Sequence, residues 1–473
     1  MGKDNKYKTI EGGIVKKEFK KVLVANRGEI AVRVIRTLKE MGIKSVAIYS
    51  KADKNSLHLD MADEAICIGD SPAKESYLKM DRIISAALIT KSDAIHPGYG
   101  FLSENAEFSK QCLRNGLIFI GPNPDSIKLL GHKSMARELA RKSGVPITPG
   151  SNGCVKKDFI KIAKKIGFPI MIKAAAGGGG KGMRIVTEES SLIKEVEMAQ
   201  QEAKAAFGND DVFFEKYIDK PRHIEIQFAR DFHGNVVAFP ERDCTLQRRH
   251  QKLIEETPSP FVTPDVRKKL QKVTEKLADS ANYHGVGTVE FLMDEDKNFY
   301  FMEVNTRLQV EHPVTESICG VDLVKEQILI AQGFEMDISS RYVDGFRGHS
   351  IEHRINAEDW EKNFMPNVGT ISDVVFPMGN GVRVDTHIYP GYKIPPYYDS
   401  MIAKLIIWAP TRKDAILKSA RAIDEFQIKG IKTTLGLHKE ILNDLNFKRA
   451  NVHTKYLEEF IPKLILEKTS IGK

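Results

Sequence analysis

Short apolar runs alternate with helical patterns along the first part of the chain. The runs that read as buried strands are Lys21–Ala25, Ser45–Tyr49, Ala94–Ile95 and Leu117–Ile120. Between the first two runs, apolar residues recur at helical spacing from Ile30 to Leu38. Strands that alternate with helices are typical of a parallel sheet. The pattern predicts a doubly wound domain over about the first 130 residues, with a polar extension outside the fold at residues 1–17.

A different pattern begins at His132. A predicted helix, Lys133–Ser143, leads to a strand at Phe168–Lys173, and hairpin-like strands with charged turns follow after Tyr217. The rest of the chain, to about Phe460, reads as an α+β region without an internal repeat. The predicted fold class is therefore α/β followed by α+β.

A run of four glycines, Gly177–Gly180, follows the strand that ends at Lys173. Glycine allows positive φ and close backbone approach, the geometry that points N–H groups at phosphates. The run is not a P-loop, because Gly182 rather than Ser or Thr follows Lys181. Lys173 ends an apolar strand, where its charge is costly unless an anion lies beside it. A flexible glycine lid over a polyphosphate is therefore favoured over a plain hairpin turn.

Two further polar segments are weaker signals. Asp211–Ile218 reads as a strand that ends at a linker, where the Glu215 carboxylate and nearby amides could read an adenine and a ribose. The segment that carries Gln247, His250 and Lys252 is dense in charge and hydrogen-bonding groups. A solvated loop is an equally good interpretation of that second segment.

Two apolar strands joined by a polar turn predict a hairpin ending near residue 305. A tip at Asp296 and Lys297 places Glu290 opposite Glu303, with Asn305 on the same face. Facing carboxylates destabilise a hairpin unless a positive charge lies between them. A hard divalent cation that bridges phosphates is favoured here over a hydrated surface.

Polar residues alternate with apolar ones beyond this hairpin, through Arg307 and Gln309 to Glu311. An extended segment would place these polar groups on one side. Arg307 is a bidentate donor and Glu311 a carboxylate, a pair suited to holding and deprotonating a small oxyanion.

Composition and charge exclude several classes of protein. The 473 residues carry 71 Lys+Arg against 63 Asp+Glu, a formal charge of +8, without an aromatic-studded basic stripe for nucleic acid. No apolar run approaches the ~18 residues of a membrane span, and the charged amino terminus is not a secretory signal. Five cysteines without a C-x-x-C pair argue against disulfides and structural zinc. The single glycine of the first turn, Gly28, excludes an NAD-binding fingerprint. We expect a soluble, cytoplasmic protein.

Several long strings of the sequence together resemble the biotin carboxylase family of ATP-grasp enzymes. They occur in order over about residues 19–460 and include the glycine loop with Lys173. The other strings are Val24–Ala31, His96–Asn105, Glu241–Cys244, Gln247–Lys252, Glu303–Glu316, Arg354–Asp359 and Pro395–Ser400. Lys181 stands where an arginine is common in this family, and the extension at residues 1–17 is unusual.

The resemblance implies an ATP-grasp fold with an N-terminal doubly wound parallel-sheet domain, a mobile lid and a C-terminal domain. The implied parts are the polar extension (1–17), a Rossmann-like N-terminal domain (18–132), a lid with the glycine loop (133–217, helical lead-in 133–144), an ATP-grasp core (218–345), a C-terminal domain (346–462) and a tail (463–473).

The resemblance also implies roles for individual residues. Contacts to ATP are implied for Lys133, Lys173, Gly179, Gly180, His223 and the linker Glu215, Lys216, Tyr217 and Ile218, with Gln247 and His250 close to the nucleotide. The implied ligands of Mg²⁺ (or Mn²⁺) are Glu290, Glu303 and Asn305, the residues of the predicted hairpin. Lys252, Arg307, Gln309 and Val310 would form a bicarbonate pocket, with Glu311 as the base and Arg354 as the stabiliser of a biotin enolate.

The implied activity is the ATP- and bicarbonate-dependent carboxylation of biotin through carboxyphosphate. The sequence shows no Ala-Met-Lys-Met biotinylation site and no carboxyltransferase-length segment after residue 460. We therefore expect one subunit that acts on biotin borne by a separate biotin carboxyl carrier protein and works with carboxyltransferase subunits. The final acceptor, whether acetyl-CoA, pyruvate or another acid, stays open.

A homodimer is implied mainly by the resemblance. Arg36 and Glu40 share a face of the first helix and could cross an interface, although a surface pair is nearly as good an interpretation. Two other functions stay open: an ATP-grasp carboxylase or ligase that acts on an amine, and a non-catalytic nucleotide-binding regulatory subunit.

Overall fold

A five-stranded parallel sheet forms the amino-terminal part of the structure. This computed structural model describes residues 16–151, 153–174, 183–336 and 345–471. The strands are β1 (Lys21–Val24), β2 (Lys44–Ser50), β3 (Glu64–Gly69), β4 (Ala94–His96) and β5 (Ile118–Phe119). The helices are α1 (Gly28–Glu40), α2 (Leu57–Met61), α3 (Met80–Ile89), α4 (Ala106–Arg114) and α5 (Pro124–Gly131). The strand order β3-β2-β1-β4-β5, which reverses at β1, confirms the predicted doubly wound sheet.

Neighbouring residues of β1 supply the cores on the two faces of this sheet. Val22 packs with the apolar face of α1, which includes Val34. Leu23 points to the opposite face, where it joins Ile83 of α3 and Phe108 of α4. The two-residue period of a strand thus divides one apolar run between two cores.

A small antiparallel sheet with its own core follows. Its strands are β6 (Ile170–Ala174), β7 (Arg184–Val186) and β8 (Val212–Lys216), in the order β7-β6-β8. The helices around it are α7 (Phe159–Ile166) and α8 (Leu192–Phe207). Helix α6 (Lys133–Lys142) precedes the sheet in the chain and contributes Ala136 and Ala140 to a different core cluster. Ile172, Val196 and Phe214 belong to a core cluster separate from those of the first sheet. The predicted glycine loop, with Gly179 and Gly180, lies outside the described residues.

An eight-stranded antiparallel sheet makes up most of the remaining structure. The strands in this part of the chain are β9 (Arg222–Arg230), β10 (Val236–Arg248), β11 (Gln251–Thr257), β12 (Gly285–Met293), β13 (Phe299–Asn305), β14 (His349–Asn356), β15 (Glu358–Asp359), β16 (Met365–Pro366), β17 (Asp373–Val375), β18 (Val382–Thr386), β19 (Met401–Ala409) and β20 (Gln427–Lys429). Outside the large sheet, β15 pairs with β16 and β17 pairs with β20 in two small sheets. The helices are α9 (Pro264–Ser280), α10 (His312–Cys319), α11 (Leu323–Ala331), α12 (Arg412–Glu425), α13 (Leu435–Asn443), α14 (Leu445–Lys448) and α15 (Tyr456–Ile471). The order in the large sheet is β13-β12-β9-β10-β11-β14-β19-β18.

The pairing of β11 with β14 makes this sheet continuous. Strands of the predicted core (218–345) and of the predicted C-terminal domain (346–462) therefore lie side by side in one sheet. Helix α15 continues through residue 462 to Ile471, and the boundaries themselves stay a prediction. Among the described residues, no helix is long and apolar enough to cross a membrane.

Candidate active site

A cleft of about 1070 Å³ opens where the parallel sheet, the small sheet and the eight-stranded sheet meet. Of the residues predicted for the site, those that line it from the small sheet and the following linker are Lys173, Glu215, Lys216, Tyr217 and Ile218. Those from the eight-stranded sheet and its loops are His223, Gln247, His250, Lys252, Glu290, Glu303, Asn305, Arg307, Gln309, Val310 and Arg354. Glu311 is buried behind this wall, in contact with Lys252 and Arg354. Lys133 does not line the cleft, but its charge reaches the Glu303 carboxylate.

The hairpin of β12 and β13 pairs Glu290 with Glu303, which confirms the predicted facing carboxylates. The predicted tip at Asp296 and Lys297 is wrong. Near the turn Met293 pairs with Phe299, and a bulge after Glu290 shifts the register by one residue. The bulge thus compensates for the error at the tip, because it adds one residue to one strand of the pair.

The facing carboxylates have unequal surroundings. Although burial opposes ionisation, the Lys252 ammonium and His223 hold the pKa of Glu290 well below its usual range. Burial, and then the Glu290 carboxylate, raise the pKa of Glu303. A divalent cation between them would remove this repulsion. Asn305 lies on the same face and keeps a buried Nδ2 without a partner in the described part of the chain, a donor that fits a phosphate oxygen. These residues therefore fit Mg²⁺ bound beside a phosphate.

Lys252, on β11, is the common partner of three buried carboxylates. Its Nζ lies 2.6 Å from Glu225 Oε2, 2.9 Å from Glu290 Oε1 and 2.6 Å from Glu311 Oε1. Burial favours the neutral amine, but the Cys244 sulfur and these carboxylates hold the pKa of Lys252 well above its usual value. An oxyanion that enters the cleft would compete with three carboxylates for one ammonium.

Glu311 is fully buried between two cations. Its Oε1 accepts from Lys252, and its Oε2 accepts from Arg354 Nη2 at 2.9 Å. Burial opposes ionisation, but Lys252 and then Arg354 hold the pKa of Glu311 well below its usual range. Arg354 also donates through Nε to Glu255 Oε1 at 2.5 Å. Glu311 is therefore ionised at neutral pH, the state that a general base requires.

The loop after β13 brings the remaining polar groups together without being extended. Strand β13 ends at Asn305 and α10 begins at His312, so the predicted extended segment through Glu311 is wrong. A proline in the first turn of α10 favours a helical start there. Arg307 Nη1 donates to Gln309 Oε1 at 2.9 Å, and Nη2 donates to Asn305 Oδ1 at 3.1 Å.

Lys173 and Glu215 lie on neighbouring strands and contact each other. Lys173 Nζ donates to Glu215 Oε2, and Glu215 Oε1 lies 2.5 Å from Arg137 Nη1. The anion that the sequence predicts beside Lys173 is thus a carboxylate of the protein itself. The backbone N–H groups of Lys216 and Tyr217 donate to backbone carbonyls, so these two amides are already used.

The charged segment Glu241–Lys252 is not a solvated loop. It forms the adjoining ends of β10 and β11, joined at Arg249 and His250, whose φ values are 47° and 65°. Two consecutive positive φ angles are the geometry of a tight hairpin turn. Gln247 pairs with Lys252 across this hairpin, and both line the cleft.

Comparison with known proteins covers nearly the whole chain. Family models described as "Biotin carboxylase, N-terminal domain", "Carbamoyl-phosphate synthase L chain, ATP binding domain" and "Biotin carboxylase C-terminal domain" match residues 18–127, 132–339 and 352–459. The chain is 53% identical over 445 residues to the chloroplastic biotin carboxylase 1 of Populus trichocarpa, a match that covers 94% of this chain and 83% of that protein. The chain belongs to the biotin carboxylase family.

Two other relatives are similar over comparable lengths. A pyruvate carboxylase subunit of Methanothermobacter thermautotrophicus is 49% identical over 444 residues, 93% of this chain and 90% of that protein. The biotin carboxylase domain dimer of Hydrogenobacter thermophilus 2-oxoglutarate carboxylase, in complex with MgADP, ADP and bicarbonate, is 48% identical with a TM-score of 0.88. That match covers 95% of this chain and 99% of the other. Membership confirms the predicted ATP-grasp fold and makes the chain an ATP-dependent ligase.

Sequence reasoning missed three buried members of this biotin carboxylase site: Glu225, Arg242 and Glu255. Arg242 is fully buried and donates to Glu225 Oε1 and, at 2.9 Å, to Gln227 Oε1. Burial, together with neighbouring carboxylates that include Glu311, raises the pKa of Glu225 against the opposing charge of Arg242. A signal for Glu225 was present, because polar residues alternate with apolar ones along β9.

Proposed function

We propose that the chain carboxylates biotin borne by a separate carrier protein, with ATP, Mg²⁺ and bicarbonate, through a carboxyphosphate intermediate. One observation carries the proposal: the ionised Glu311 is held between Lys252 and Arg354. A base thus lies between a cation for bicarbonate and a cation for the ureido oxygen of biotin.

The nucleotide would occupy the part of the cleft beneath the small sheet. Lys133, Lys173, His223, Gly179 and Gly180 are assigned to its phosphates and ribose, with Gln247 and His250 close by. Glu215, Lys216, Tyr217 and Ile218 are assigned to the adenine end. Since the amides of Lys216 and Tyr217 already donate elsewhere, we assign the base-reading amide to Ile218.

Glu290, Glu303 and Asn305 would hold Mg²⁺. The ion would neutralise charge on the ATP phosphates as the γ-phosphoryl group is transferred. Lys252 supplies a fixed positive charge beside the same carboxylates, 2.9 Å from Glu290.

Bicarbonate would be phosphorylated first. Arg307, Gln309, the Val310 backbone and Lys252 orient it, and Glu311 takes its proton as an oxygen attacks the γ-phosphorus and ADP leaves. Bicarbonate would draw Lys252 towards itself, and this loss of positive charge would raise the proton affinity of Glu311 when the base is needed.

Carboxyphosphate would then release CO₂ beside biotin. The departing phosphate takes the ureido N–H proton, and Arg354 stabilises the negative charge on the ureido oxygen until the nitrogen bonds to CO₂. Closure of the lid at residues 145–217 would exclude water, which hydrolyses the intermediate. The separate core of the small sheet supports motion of the lid as a unit.

The proposed partners are a biotin carboxyl carrier protein, carboxyltransferase subunits and a second copy of this chain. Arg36 and Glu40 are both exposed on α1, as an interface pair requires. Sedimentation as one 53.1 kDa species at micromolar protein would reject the homodimer. The relatives named above are named for different carboxylases, so the final acceptor stays open, and a cytoplasmic location stays a prediction.

Phosphate release with each component omitted tests the proposed function. We expect efficient ATP cleavage only when bicarbonate and biotin are both present, with carboxybiotin as product. Equal rates without biotin and bicarbonate would refute the proposal. Turnover with an amine in place of biotin would favour the alternative ATP-grasp carboxylase.

A further inference from the structure

Glu104, in the loop between β4 and α4, reaches from the amino-terminal domain to the active site. Its Oε2 accepts from Arg307 Nε at 2.9 Å, and its Oε1 accepts from the backbone N–H of Thr306 at 3.0 Å. One carboxylate therefore holds two consecutive residues of the loop after β13. The proposed reaction gives Glu104 no part, although it contacts the arginine assigned to bicarbonate.

The effect of Glu104 depends on which edge of the Arg307 guanidinium it contacts. Glu104 takes Nε, while Nη1 and Nη2 donate to Gln309 and Asn305 in the wall of the cleft. A guanidinium is a planar fork of fixed geometry, so fixing one edge sets the direction of the other donors. The Arg307 side chain is 18% exposed, which leaves it within reach of a ligand in the cleft.

We infer that Glu104 is a positioning residue for bicarbonate: it fixes the plane of Arg307 and so aims the two donors that hold the oxyanion. This inference rests on the proposed function, in which Arg307 orients bicarbonate. Glu104 itself does not touch the substrate. Without it, Arg307 samples other orientations, and each binding event must restore the productive one at a cost in affinity.

A simple brace between domains would behave differently. Loss of a brace lowers the melting temperature and impairs the use of ATP and bicarbonate alike. Loss of a positioning group raises the KM for bicarbonate more than the KM for ATP, because Arg307 would contact bicarbonate directly and reaches the proposed Mg²⁺ ligands indirectly, through Asn305.

The decisive variants are Glu104→Gln, which keeps the shape and removes the charge, and Glu104→Asp, which keeps the charge on a shorter arm. The matched control is Glu107→Gln on α4, where Glu107 accepts from Gln111 at 2.6 Å on the exposed surface. For Glu104→Gln we expect an increase of about tenfold in the KM for bicarbonate. Glu104→Asp should recover part of this loss, and Glu107→Gln should match the wild type.

Two measurements on the full chain separate the outcomes: steady-state phosphate release, and binding of ¹³C-bicarbonate by NMR with MgADP present. An equal increase in both KM values, a change in melting temperature alone, or no change in Glu104→Gln would overturn the inference and leave the proposed function intact. If the wild type binds bicarbonate without carboxylating biotin, the proposed function fails. In that case weaker binding by Glu104→Gln still supports the role of Glu104, and equal binding refutes it.

Discussion

The residues around Glu311 stabilise its ionised form and thereby make it a weak base. Lys252 and Arg354 hold its pKa well below the usual range despite complete burial, so at rest it is a weak base. Both cations are also assigned to substrates, Lys252 to bicarbonate and Arg354 to biotin. Binding of each substrate would therefore draw one cation from Glu311 and raise its proton affinity in sequence.

This order of events separates two substitutions. Glu311→Gln should abolish bicarbonate-dependent ATP cleavage and carboxybiotin formation together, because a general base typically contributes ~10²–10⁴ in rate. Arg354→Ala should reduce carboxylation by ~10²–10³ while part of the ATP cleavage survives, since loss of a donor to an oxyanion has about that effect. The measurement is the ratio of phosphate released to carboxybiotin formed. An unchanged ratio in Arg354→Ala would mean that the arginine is not specific to the biotin step.

At the scale of single elements, the hairpin of β12 and β13 explains both what the sequence predicts and what it leaves out. Strand alternation identified the shared face of Glu303 and Asn305, because the two-residue period is local. The pairing of Glu290 with Glu303 was predicted from the wrong turn tip and is correct only because the bulge compensates. The bulge after Glu290 was not predicted, since its position depends on neighbouring strands as well as on the turn. Glu104 escaped for the same reason, because its contact with Arg307 joins elements far apart in the sequence. Alternation along β9 indicates Glu225 itself, but not its contact with Lys252.

Strand β14 gives a second example of long-range support. Arg354 was predicted only through the family resemblance, and no local pattern indicates what holds its backbone. Its carbonyl accepts from His438 Nε2 at 2.7 Å, and His438 Nδ1 lies 3.3 Å from His353 Nδ1. The pairing of β14 with β19 shifts register just after this point, at Ile355 and Asn356. The site residues could thus be named from motifs, whereas the groups that orient them required the structure.

The hairpin makes a prediction of its own about the metal. Glu303→Gln should raise the Mg²⁺ concentration needed for half-maximal turnover by about tenfold or more. The substitution removes one of the two charged ligands, Glu290 and Glu303, of the proposed metal site. The control is Glu295→Gln, in the exposed turn of the same hairpin. Circular dichroism should show both variants folded. A Glu303→Gln variant with the Mg²⁺ dependence of the wild type would remove Glu303 from the metal site.

Across the whole molecule, burial keeps several histidines neutral. It lowers the pKa to about 4 for His58, His284 and His438, and to about 3 for His96 and His387. In the unfolded chain these histidines bind a proton at about pH 6.5, whereas in the folded chain they stay neutral to a lower pH. Protonation below about pH 6.5 therefore favours the unfolded chain. Their contribution to stability is complete above pH 6.5 and is lost as the pH falls towards the folded pKa values.

Acid should therefore destabilise the protein well before most carboxylates are protonated. At pH 5, each fully buried histidine of this group lowers the free energy of unfolding by about 2 kcal/mol relative to neutral pH. Burial raises the pKa of Glu29 and Glu255 to about 7, which acts in the opposite direction, since a raised carboxyl pKa favours folding at low pH. Burial also raises the pKa of Glu225, Glu303 and Glu352, so these carboxyls offset part of the histidine effect. We expect the melting temperature to fall between pH 6.5 and pH 5, but by less than the histidines alone would cause.

His284 offers a direct check because it stacks on Phe232, with ring centroids 4.2 Å apart. His284→Phe keeps an aromatic ring and removes the titration, so the fall in melting temperature with pH should become shallower. His132→Gln, at an exposed histidine, should leave the slope unchanged. An identical slope in His284→Phe and the wild type would contradict the assignment.

In the first step of the proposed reaction, an oxygen of bicarbonate attacks the γ-phosphorus of ATP while Glu311 takes the proton. The most direct test is turnover with ¹⁸O-labelled bicarbonate in unlabelled water, followed by mass spectrometry of the phosphate released. Attack by bicarbonate transfers its oxygen with the phosphoryl group, so each phosphate should carry one labelled oxygen. The label should appear at the same proportion in the residual ATP cleavage of Arg354→Ala. Unlabelled phosphate from the wild type would mean that water, not bicarbonate, is the nucleophile, and would contradict the mechanism.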